Sequence, residues 1–124
     1  MKANYLSFLP IIGWTLLIIY LSSGPGVQLP FDWKDIFGID KVGHLVFYAI
    51  HTFLLIWTLQ QNGLIKTGNK KYWYSFFASA ILGIAMEIMQ GAFYPNRYFD
   101  ILDIFANIIG SFLGMTLFKR LWVG

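Results

Sequence analysis

The chain has 124 residues, 57% of them hydrophobic and only 12% charged, with a mean hydropathy of +0.61. Soluble domains carry about 25% charged residues, so a small water-soluble globule is excluded, and twelve Phe, seven Tyr and five Trp exclude disorder. The absence of cysteine removes disulfides, thiolate zinc sites and cysteine nucleophiles, and a net charge of +3 from nine scattered basic residues makes no nucleic-acid footprint.

A transmembrane helix needs about 20 mostly apolar residues, and four stretches qualify. The first, residues 5–21, contains no charge. Its length, and Pro25 directly after the small residues Ser22, Ser23 and Gly24, argue for a retained span rather than a cleaved signal peptide. Residues 22–40 then open on a turn, Ser22-Ser23-Gly24-Pro25-Gly26. The following Pro30-Phe31-Asp32-Trp33-Lys34-Asp35-Ile36-Phe37 mixes aromatics with charges and predicts a short interfacial segment. The second span covers residues 41–59, the third 72–94 and the fourth 99–118, with a tight turn over 94–98. Barrel strands alternate strictly, whereas Phe53-Leu54-Leu55-Ile56-Trp57 does not. The expectation is an all-α integral membrane protein, one domain over residues 1–124 with four transmembrane helices.

Basic residues in short loops set orientation. Lys2, Lys66, Lys70, Lys71, Lys119 and Arg120 fall on one side, and Lys34, Lys41 and Arg97 on the other. Six against three predicts that the N and C termini are cytoplasmic.

Three spans carry polar residues at helical spacing. On the second, Lys41, His44, Tyr48 and His51 share a face; on the third, Ser79, Gly83, Glu87 and Gln90; on the fourth, Asp100, Asp103, Asn107, Gly110 and Gly114. His44 and Asp103 lie roughly 5 Å inside the outer ends of their spans, and Glu87 and Asn107 roughly 10 Å. All six acids fall in or beside that half. An ionised group at the bilayer centre costs about 2.5–3.5 kcal/mol on insertion scales, so the three faces should turn towards one another.

Structural roles account for part of this set. Asp40 and Asp100 stand where helix N-caps belong, and Asp103 suits the positive end of a helix dipole. Gln90, Asn107, Ser79 and the glycines suit close helix packing, Gly110 and Gly114 forming a GxxxG pattern. His51 reads as a neutral, hydrogen-bonded core histidine, and Tyr48 as packing or an interfacial anchor. Neither capping nor packing asks for a glutamate inside the third span. Arg97, in the turn between Glu87 and Asp100, presents a fork of donors suited to phosphate or carboxylate.

Asp40-Lys41-Val42-Gly43-His44 with Tyr48, then Glu87-Ile88-Met89-Gln90, then Arg97-Tyr98-Phe99-Asp100-Ile101-Leu102-Asp103 with Asn107 and Gly110 follow in a specific order. In these residues, over about 14–118, the chain resembles the VanZ-like family of bacterial membrane proteins. The resemblance implies a multi-pass protein of the bacterial cytoplasmic (inner) membrane. It also implies a link to glycopeptide resistance, since the family's named member is associated with resistance to teicoplanin.

Two functions follow as expectations. In one, Glu87, Asp103, His44 and Asp100 form an acid–base site opening to the extracytoplasmic leaflet. Arg97, Lys41, Asp40, Gln90, Asn107 and Tyr48 then help to bind an anionic lipid or a lipid-linked cell-envelope molecule. A carboxylate–histidine set can also hold a hard divalent metal, although the compact HExxH spacing is absent and no cofactor is named. In the other, the polar cluster is structural, and the protein acts through a membrane partner or by shielding the surface.

Overall fold

A computed structural model describes residues 3–23, 39–65, 68–94 and 99–123, with the side chains of residues 39, 40 and 123 outside the description. Among the described residues there are four long α-helices and no strand. A short 3₁₀ turn, Tyr5–Ser7, leads into α1, Phe8–Ser22; α2 runs Ile39–Asn62, α3 Lys70–Phe93 and α4 Ile101–Val123. All four are long and apolar enough to cross a membrane. The expected interfacial segment lies outside the described residues, within 24–38, as does Arg97, within 95–98.

The three later helices depart at their ends from the apolar stretches. Gln60, Gln61 and Asn62 continue α2, and Lys119 and Arg120 continue α4. Hydropathy marks where lipid begins and ends, whereas the backbone ladder stops only at a capping residue. For α2 that stop is Gly63, at φ 57°. Its N–H donates to the Gln60 carbonyl, and the Leu64 N–H donates to the Leu59 carbonyl, each at 3.3 Å. This paired bonding is the Schellman arrangement. α4 starts after Asp100, whose Oδ1 accepts from the Leu102 N–H at 2.9 Å, a side-chain N-cap. Asp40 falls inside the first turn of α2 rather than before it.

α2 and α4 lie closest together, with α3 packed against both and α1 against α2 and α3. The close approach rests on two glycines. A Cβ at Gly110 would overlap the Leu45 carbonyl oxygen, and one at Gly114 the Ala49 carbonyl oxygen. Small residues let backbones approach in lipid, where packing and hydrogen bonds rather than apolar transfer hold helices together. Towards the end where α3 begins and α4 ends, Ile56, Tyr72, Met115 and Phe118 make an apolar core backed by Phe53, Trp57 and Phe76. The Phe53 and Phe118 rings meet edge-on at 4.9 Å. Exposed apolar side chains on every helix, Val42 and Val46 on α2 and Leu, Ile or aromatic residues on the other three, form the surface that lipid would cover.

Candidate functional site

The opposite end, where α2 and α4 begin and α3 ends, is polar inside. Lys41 on the first turn of α2 bridges two carboxylates of the α4 start. Its Nζ lies 2.6 Å from Asp100 Oδ2 and 2.5 Å from Asp103 Oδ1. Asp100 thus holds Lys41 with one oxygen and caps α4 with the other. The Lys41 ammonium beside it holds the Asp100 carboxyl below the usual carboxylate range.

One turn deeper, His44 faces both other helices. Its Nδ1 lies 3.0 Å from Asn107 Oδ1 and 3.9 Å from Glu87 Oε1, and its Nε2 lies 3.5 Å from Asp103 Oδ2. Asn107 Nδ2 donates to the Gly83 carbonyl at 3.4 Å, which leaves Oδ1 as the acceptor for a His44 Nδ1–H. Gly83 is required here, since a Cβ on it would fall 2.8 Å from the Asn107 Cβ. Glu87 is 1% exposed, and its Oε2 accepts from the Asp100 peptide N–H at 3.4 Å. Exposure falls along the cluster. The Lys41 and Asp100 side chains are 33% and 38% exposed, that of His44 21%, and Glu87 and Asn107 are buried. The cluster reaches inward from one end of the bundle.

The remaining candidates lie around or away from this centre. Tyr48 is buried one turn further along α2. Gln90 is buried and turned to α1, its Nε2 donating to the Ser22 carbonyl at 3.1 Å. Arg97 and the Asp40 side chain lie outside the described residues. His51 is separate from the cluster. Thr15 gives its hydroxyl proton to the Ile11 carbonyl (2.7 Å), so its oxygen accepts from His51 Nε2 (3.0 Å). Nδ1 then accepts from the Ser79 hydroxyl at 2.7 Å, so a neutral imidazole satisfies both ends.

Sequence reasoning assigned α1 no polar role, and Thr15 is the residue it missed. The available signal was spacing: Thr15 shares a helix face with Ile11 and Ile18, the two buried residues of α1. A second missed set ties the 3₁₀ turn to the end of α2. Asn62 Nδ2 donates to Ser7 Oγ at 2.6 Å, and Thr58 Oγ1 donates to the Ser7 carbonyl at 3.0 Å.

Four membrane-length helices around a cluster of charged and amide side chains define a multi-pass helical membrane protein with a polar interior at one end. The family model described as VanZ/LLP1 matches residues 5–123, and the chain belongs to that family. No curated protein and no solved structure matches it.

Proposed function

We propose that the cluster of His44, Glu87, Asp100 and Asp103 is a site for an anionic lipid or a lipid-linked cell-envelope molecule, reached from the extracytoplasmic leaflet. The supporting observation is convergence. A ring nitrogen of His44 and one carboxylate oxygen each of Glu87 and Asp103, from three helices, lie within 4.8 Å of one another, one turn inside the more exposed Lys41 and Asp100 side chains. Ionisable side chains in a membrane are costly and tend to mark function, and a histidine between two carboxylates can move protons in either direction. In this reading Arg97 binds a phosphate or carboxylate of the ligand. Asp40, Lys41, Gln90, Asn107 and Tyr48 shape and charge the surroundings. Both termini are cytoplasmic, the membrane is the bacterial cytoplasmic one, and the cellular outcome is reduced susceptibility to teicoplanin.

Wild type, Glu87→Gln, Asp103→Asn, Arg97→Ala and Arg97→Lys, expressed in a susceptible bacterium, test the reading. Phosphate-bearing lipids that co-purify are quantified beside teicoplanin susceptibility. Glu87→Gln and Asp103→Asn should fold normally and lose the cellular effect. Arg97→Lys should lose bound lipid nearly as fully as Arg97→Ala, because a point charge does not reproduce a bidentate fork. Folded Glu87→Gln and Asp103→Asn proteins that keep the effect would refute an acid–base role.

The Lys41 bridge supports a second reading, in which the cluster fastens α2 to α4 and function lies in a partner surface or in shielding. That reading predicts loss of folded protein in Glu87→Gln and Asp103→Asn.

A further inference from the structure

We infer that His44, Glu87 and Asp103 bind a divalent transition-metal ion. The inference rests on the reading that this cluster is the functional site, and it adds an ion to that reading. The donors come from three helices: an imidazole nitrogen and two carboxylate oxygens within 4.8 Å of one another. Two ligands about 2.1 Å from a tetrahedral ion stand about 3.4 Å apart, and His44 Nε2 lies 3.5 Å from Asp103 Oδ2.

The surrounding bonds have the form that metal ligands require. A ligating histidine usually donates its other N–H to a carbonyl or carboxylate, which fixes ring and tautomer. His44 does so through Nδ1 to Asn107 Oδ1, and Gly83 in turn holds Asn107. Lys41 takes Asp103 Oδ1, which orients Oδ2 towards the ring.

Glu87 is the independent observation. Its carboxyl is 1% exposed on a membrane-spanning helix. Among the described residues its one hydrogen bond is the 3.4 Å contact from the Asp100 N–H, and its Oε1 lies 3.9 Å from His44 Nδ1, on the flank of the imidazole. A buried carboxylate so thinly bonded calls for a cation or a proton. One imidazole with two carboxylates suits Mn²⁺, Fe²⁺ or Zn²⁺, whereas Ca²⁺ and Mg²⁺ prefer oxygen alone.

The test titrates the metal-stripped full chain in detergent with Zn²⁺ and with Mn²⁺, following heat and, for Mn²⁺, electron spin echo modulation. The expected result is one ion per chain, a nitrogen coupling from one imidazole, and retention against excess Mg²⁺. Glu87→Gln and Asp103→Asn should weaken binding at least about tenfold, the scale on which disturbed metal sites lose affinity. The wild-type stoichiometry and nitrogen coupling stand even if a variant misfolds. Binding that is absent, lacks nitrogen coupling, or persists unchanged in both variants overturns the inference. Should metal fail to bind while lipid co-purification still depends on Arg97, the ion alone is refuted and the lipid site stands. Loss of neither lipid nor metal in the variants would refute both.

Discussion

Asp100 combines two tasks that its residue type makes compatible. A carboxylate has two acceptor oxygens; one caps the α4 N-terminus and the other takes the Lys41 ammonium. Capping was readable from position, since Asp before an apolar run is a strong N-cap signal. The ion pair was not, because its partner lies 59 residues away. The pH behaviour follows from the direction of the shift. A carboxyl held below its ordinary value of 3.8 stabilises the fold fully above that value, and the contribution is lost as pH falls through the lower, folded value. The stability difference between wild type and Asp100→Asn, measured by unfolding in SDS, should therefore be the same at about pH 7 and about pH 5 and shrink only in stronger acid. A difference that has vanished by about pH 5 would mean that Lys41 does not hold Asp100 in the folded protein.

At the scale of elements, glycines separate contact from lipid exposure. Gly110 and Gly114 on α4 lie against the Leu45 and Ala49 carbonyls of α2, so two residues four apart meet two residues four apart. The GxxxG pattern was visible in the sequence as packing, but which helix it meets depends on how the chain folds back. Gly43, on the same α2, has nothing within 4 Å of where a Cβ would stand. Gly43→Ala should accordingly be neutral or stabilising by up to about 1 kcal/mol, the usual helical gain over glycine. Gly110→Ala should destabilise by about 1–3 kcal/mol or more, the scale of overpacking. SDS unfolding of the two variants side by side checks this, and equal effects would contradict the α2–α4 contact.

For the whole molecule, polarity is distributed by end. An aromatic and aliphatic core fills the end where α3 begins, and the charged cluster fills the end where α4 begins. The basic residues on either side of the spans predict that the charged end faces away from the cytoplasm. The cysteine-free parent makes labelling direct. In intact cells Asn96→Cys should react with a membrane-impermeant thiol reagent, and Lys70→Cys should react only after lysis. The opposite pattern would invert the orientation and bring the cluster to the cytoplasmic leaflet.

The four helices were readable in number and approximate place, though not at their ends, because lipid forces each backbone to satisfy itself and so turns an apolar run directly into a helix. The polar faces of α2, α3 and α4 were readable for a related reason, since 100° per residue converts spacing into a shared face. Only the tertiary structure decided which polar groups meet. Glu87 lies near His44 and the Asp100 peptide, Lys41 holds both Asp100 and Asp103, and Gln90 turns to the α1 carbonyl of Ser22. His51 bonds to Thr15 on α1, the span that sequence reasoning set aside. Helical spacing fixes a residue's angle around its own axis and its depth along it. How far each helix turns and slides against its neighbours comes from packing, here from Gly83, Gly110 and Gly114, and a single amphipathic pattern carries no information about that.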